Sequence, residues 1–125
     1  MNSAGTFVVD FVAKGVNDDE WRMVLVEEGP WKSPLLEDEL RRLQNRLYDC
    51  IDAAIDGQLA ERFQQTARKR LVIQVDGYHL PEADVRDFFD RFTAGVLATP
   101  DYRKAMLESP YVADIAFELN LDGEG

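Results

Sequence analysis

Residues 21–36, WRMVLVEEGPWKSPLL, decide how this chain folds. Trp21, Met23 and Leu25 alternate with Arg22, Val24 and Val26, the period of two that a half-buried strand requires. Glu27, Glu28 and Gly29 interrupt that pattern, and Trp31 is then held between Pro30 and Pro34. Ser33-Pro34 reads as a serine cap followed by proline at the first helical position. Glu37, Asp38 and Glu39 follow, where the positive end of a helix dipole favours carboxylates. The stretch is therefore a strand, a short loop and a helix start, the opening of a crossover. An indole in that loop has two readings: a binding platform, or a plug over the open end of the core.

Working outward, Thr6–Lys14 places Phe7, Val9, Phe11 and Ala13 on one fully apolar face, with Val8, Asp10 and Val12 on a mixed one. GVNDDE supplies turn residues, so Thr6–Lys14 and Trp21–Glu27 read as a β-hairpin. Beyond Pro34, Leu36, Leu40, Leu43, Leu47 and Ile51 recur at steps of three and four, the stripe of an amphipathic helix. The period continues through Leu59 and Phe63, although Asp56-Gly57 stands in its path. A straight helix from Leu35 to Phe63 would run about 43 Å. An eight-residue strand spans about 26 Å. A bend or break near Gly57 is therefore expected. The basic run Arg68-Lys69-Arg70 suits the end of that helical region.

Leu71–Asp76 reads as a third strand, ended by Asp76-Gly77. Pro81 opens a second helix with a stripe of Val85, Phe88 or Phe89, Phe92 and Val96, and Thr99-Pro100 starts a short third helix closed by Pro110. Ala113, Ile115, Phe117, Leu119 and Leu121 then alternate with polar residues as a fourth strand. The predicted fold is α+β: one four-stranded sheet, in β-β-α-β-α-α-β order, with helices packed on one face and the other face meeting water. Residues 1–125 read as a single domain, with tails at about 1–5 and 122–125.

Charge narrows the function. Fourteen Lys and Arg against 24 Asp and Glu give a formal net charge of −10. Such a field repels nucleic acid and disfavours an anionic membrane surface, so neither is an expected partner. The same charge serves solubility, or it captures a basic protein partner. One cysteine, Cys50, cannot form an internal disulfide, and its place on the apolar arc of the first helix suits a buried, inert thiol. No basic leader and no long apolar run is present, so a cytoplasmic location is expected.

Chemistry-bearing motifs are scarce. One histidine and one cysteine cannot supply a zinc tetrad, and no EF-hand spacing, phosphate-binding glycine loop or nucleophile elbow occurs. No metal and no cofactor are expected, and no catalytic residue is assigned. One loose constellation remains. If the second and third strands run parallel, Glu28 and Trp31 meet Asp76, Tyr78 and His79 at one sheet edge, where ligands of α/β proteins often bind. A carboxylate beside His79 would then make an acid–base pair. The competing reading is that Trp31 and Tyr78 seal the core while the acids stay solvated.

From about Trp21 to Asp76, the VEEGPW strand end, the leucine-rich helix, the IDGQLAERF segment and the RLVIQVD strand resemble a family of short uncharacterised bacterial proteins, classed as a domain of unknown function. The resemblance implies a small, self-contained bacterial α/β domain and carries no activity or catalytic residue. The sequence thus points to a non-enzymatic protein–protein interaction module, expected as a homodimer whose interface includes Ile55, Leu59 and Phe63. A small-molecule binding domain or weak enzyme using the strand-end edge is the alternative. A third reading is an acidic immunity-type or decoy protein that occupies a basic partner.

Overall fold

A computed structural model describes residues 11–122 except Val16 and Asp18. The strands are β1 (Phe11–Lys14), β2 (Glu20–Glu28), β3 (Arg70–Tyr78) and β4 (Asp114–Asp122). The helices are α1 (Leu36–Asp56), α2 (Gln58–Arg62), α3 (Glu82–Ala98) and α4 (Pro100–Glu108), with a 3-10 turn at Gln64–Thr66. The sheet has the order β1-β2-β3-β4. Its first pair is antiparallel, while β2, β3 and β4 run parallel. The class and element order are those expected from the sequence. The part of the first strand before Phe11 and the tail Met1–Gly5 lie outside the described residues, whereas Asp122, expected in a tail, closes β4.

Parallel neighbours need crossovers, and both crossovers carry helices. Met23, Leu25, Leu71, Ile73, Val75 and Ile115 alternate along the strands and bury one sheet face. Against them pack Leu43, Leu47 and Ile51 of α1 and Val85, Phe89 and Phe92 of α3. The two phenylalanines that compete in the sequence take different roles: Phe89 is buried, and Phe88 is left half-buried beside it.

The opposite face carries a cross-strand polar row beside the buried side chains of Val24 and Val72. The Arg22 guanidinium donates to Gln74 Oε1 (2.6 Å), Glu118 Oε1 (2.8 Å) and Glu20 Oε2 (3.2 Å). Asn120 Nδ2 donates to both Glu118 and Asp76, and Gln74 Nε2 donates to Asp76 Oδ1. Hydrogen bonding to Arg22 holds the Glu118 carboxyl below its ordinary value. The face is thus a mixed-charge ladder centred on an arginine. On β1 the register pairs Val12 with Met23 and Ala13 with Arg22. Directly opposed residues share a face, so Val12 enters the core and Ala13 joins the polar row. That reverses the sequence-based assignment of the two faces at these positions.

The helix break falls at Gly57. Its φ of 99° ends α1 in the left-handed conformation, which glycine adopts without a Cβ penalty. Gln58 donates to Asp56 through both its backbone N–H (3.1 Å) and its side chain (2.9 Å), which fixes the turn. The Tyr111 ring lies against the space a Cβ would occupy. The chain therefore folds back as α2 and the overhang does not arise.

Three local expectations are corrected. A turn closed by Leu35 N–H to the Lys32 carbonyl (2.8 Å) absorbs Ser33-Pro34, so α1 begins at Leu36 without a side-chain cap. Asp76-Gly77 does not end β3, because Gly77 stays paired between Glu27 and Leu121 and the strand continues to Tyr78. Nor do Arg68, Lys69 and Arg70 close the helix. They lead into β3, where Lys69 meets Asp19 and Arg70 meets Asp114.

Candidate functional site

Parallel β2 and β3 end together, with Glu28 opposite Tyr78 in register and Gly29 N–H bonded to the Tyr78 carbonyl (2.8 Å). The topology thus brings the expected residues to one sheet edge, where they have different surroundings. Trp31 is only 5% exposed and belongs to the core. The indole is a plug. Asp76 and Tyr78 border a depression of about 310 Å³ with Gln74 and Asn120, and neither Glu28, Trp31 nor His79 lines it. Asp76 is committed to the amides of Gln74 and Asn120. His79 is exposed, with a φ of 60° at the turn into α3.

The ionic centre of that edge was missed in the sequence. Glu27, 3% exposed, accepts from Arg42 Nη2 (2.6 Å) and from Arg46 Nη1 (2.6 Å). Arg42 also donates to Glu39 (2.9 Å), and its guanidinium lies 5.8 Å from the Trp31 ring centroid. Hydrogen bonding to Glu27 holds the Arg42 pKa above its ordinary value. The spacing 39, 42, 46 on one helix flank was a legible signal, since such residues share a face. A buried carboxylate gripped by paired arginines ties α1 to the end of β2. It has little left with which to bind a ligand.

The expected interface segment is also largely used internally. Leu59 is buried in the core, and Ile55 and Phe63 are half-buried against it, because the Gly57 break turns α2 inward. The apolar surplus that argued for a homodimer is therefore mostly covered by the chain itself. Cys50 is fully buried, and burial pushes its thiol up to about 12, so it carries no thiolate at neutral pH. Among the described residues, no group of three or more His, Cys, Asp or Glu is arranged to hold a metal ion. Likewise, no helix among them is long and apolar enough to cross a membrane.

An open feature lies elsewhere, along α1. Between α1 and α3 lies a groove of about 530 Å³ lined by Leu40, Tyr48, Phe88, Phe92 and Val96. Phe92 meets Tyr48 edge-on at 5.0 Å and lies 6.1 Å from Phe88, which makes the floor a continuous aromatic surface. Asp84, Asp87 and Arg91 stand on the α3 rim, with Arg91 and Asp87 paired at 3.2 Å. Tyr48 stacks on Tyr102 of α4 at 5.9 Å. Past that stack a second depression of about 470 Å³ opens between α1 and α4, bordered by Asp49, Asp52 and Asp56. Tyr102 donates to Asp52 at 3.4 Å, and partial burial raises the Asp52 pKa above its ordinary value.

The sequence carried a trace of this groove. Leu40, Tyr48 and Phe88 occupy the edges of their helical stripes, and adjacent Phe88 and Phe89 cannot both point inward. Gly95 is the other trace: it sits on α3 at the groove, exposed, and a Cβ there would meet nothing within 4 Å. Comparison with known protein families, curated proteins and solved structures finds no match for this chain.

Proposed function

We propose that the protein is a non-enzymatic, cytoplasmic protein–protein interaction module that uses the groove along α1 as its contact surface. One observation carries this reading. An aromatic floor half open to water lies under a charged rim, whereas the buried ion cluster at Glu27 is closed on itself. Interfaces are built this way, with aromatic residues at the centre and polar residues around them. An open trough suits a protein partner better than a small molecule, because small ligands favour sites that enclose most of their surface.

A second copy of the chain is the weaker candidate for that partner. The segment expected to mediate it is mostly covered, and two copies at −10 would bring acidic rims together. The test is a photoreactive residue at position 95 in the producing cell, with position 113 as an exposed control. A discrete polypeptide adduct from position 95 alone is expected. No adduct there, or the same adducts from both positions, removes the groove as the contact surface.

A further inference from the structure

Resting on the interaction-module reading, the chemistry of the groove identifies the kind of partner. The row Leu40, Gln44, Tyr48, Asp52, Asp56 runs along α1 at steps of four and borders both depressions. Sixteen residues of helix rise about 24 Å, so the two depressions, lying on either side of the Tyr48–Tyr102 stack, together form a trough that winds partway around α1 over about four turns. Its character changes along that length, from aromatic between α1 and α3 to acidic between α1 and α4. Five aspartates (49, 52, 56, 84 and 87) border it against one arginine, Arg91, a formal charge of −5 + 1 = −4. No lysine lines either depression.

We propose that this trough receives a basic amphipathic α-helix, with its apolar stripe on Tyr48, Phe88 and Phe92 and its lysines or arginines toward the aspartates of α1. A helix fits because its backbone polar groups are already satisfied. An extended peptide would need main-chain partners that the walls, themselves helices, cannot offer. Laying an apolar helix face into a groove is an established recognition mode, with anchors at i, i+3, i+4 and i+7. Gly95 supplies the close approach. Glycine inside a helix sacrifices stability, and among the described residues nothing lies within 4 Å of where a Cβ on this one would sit. A partner helix would.

Charge complementarity favours a basic partner on two counts. The local −4 adds to a chain-wide −10, which steers cations toward the trough. The same field disfavours a second copy of the chain. Its exposed short helix, α4, offers Arg103 and Lys104 but also Asp101 and Glu108, so it is neutral, and it is about half the length of the trough.

The test uses the full chain and a fluorescent synthetic 16-residue peptide with leucines at helical spacing and lysines elsewhere. An isomer with its leucines scattered and an acidic analogue with glutamate for lysine serve as controls. Anisotropy should show the basic amphipathic peptide binding at least tenfold more tightly than either control, and more weakly as salt rises. Gly95→Leu should weaken binding at least tenfold while leaving the Tm unchanged or higher, which separates blockage from misfolding. Asp49→Asn with Asp52→Asn should weaken it several-fold and flatten the salt dependence. Equal binding of the scattered isomer, unchanged binding by Gly95→Leu, or no binding overturns the inference. So does a dimer that Gly95→Leu disperses, which would make a second copy the occupant. If the peptide fails while the position-95 adduct persists, the module reading stands and the basic helix does not.

Discussion

The carboxyl edge of the parallel strands and the groove along α1 are built from the same materials, charges beside aromatic rings, yet only one of them is open. At the edge, Glu27 is enclosed by Arg42 and Arg46, Arg42 is shared with Glu39, and Trp31 is sealed beneath it. In the groove, five aspartates face one arginine, and Tyr48 and Phe88 are left half in water. A cluster that closes on itself stabilises a fold. A cluster left with capacity can bind.

The sharpest way to break this contrast is to truncate one aromatic from each region. Trp31→Ala should cost about 3–5 kcal/mol, the range for a buried aromatic. Phe88→Ala removes a half-buried ring and should cost about 1 kcal/mol. Denaturant unfolding of both variants measures the difference. If the Trp31 variant keeps its midpoint, the edge is not closed and its ligand-binding reading returns.

Next comes Glu27→Gln, which keeps the shape and removes the charge between the arginines. Leaving buried donors poorly satisfied costs about 1–3 kcal/mol. The lower part of that range is expected, because Arg42 is half exposed and keeps Glu39. A neutral outcome would mean that the ion cluster does not tie α1 to β2.

The contrast also explains which parts of the molecule were legible in the sequence. Strand and helix order followed from period and punctuation, because Leu43, Leu47 and Ile51 or Ile115 and Phe117 obey the geometry of one element at a time. The break at Gly57 followed as well, from a mismatch of lengths. Faces and sites did not. Whether Val12 or Ala13 turns inward depends on register with β2, a relation between distant residues. Trp31, Tyr78 and His79 looked like a site because chemistry-bearing residues crowd a turn, but burial there was decided by packing from α1. The groove was hidden for the opposite reason: Phe88 and Tyr48 read as ordinary stripe residues, and only the packing of α1 beside α3 shows that they stay half uncovered.

Gly95→Ala carries a smaller effect with the opposite sign. Alanine is favoured over glycine in a helix by up to about 1 kcal/mol. Among the described residues no atom lies within 4 Å of the new methyl, so a gain of about 0.5–1 kcal/mol and a Tm rise of a few degrees are expected. Thermal unfolding decides it. A loss of stability would mean that the glycine serves the fold itself and was not kept open for a partner.

The smallest effect separates binding from stability within the acidic stretch. Asp52 lies between α1 and α4, where partial burial, and then Asp56 and Asp49, push its carboxyl above the ordinary value against a hydrogen bond from Tyr102. A raised carboxyl binds its proton more tightly folded than unfolded. Stability at this site therefore falls as pH rises from the ordinary carboxylate value through the raised folded one, and it stays lower above that window. At neutral pH the charge works against the fold. Asp52→Asn keeps an oxygen that can accept from Tyr102 and removes the charge. Because Asp52 is exposed by surface area, the expected gain is within about 0.5 kcal/mol. It should fade below the ordinary carboxylate range, where both side chains are neutral. Parallel Tm-against-pH curves for the two proteins test this, and a variant less stable at pH 7 than at pH 3 relative to the parent would sink it. A residue whose charge weakens the fold yet strengthens binding to a basic helix is what an acidic docking groove requires.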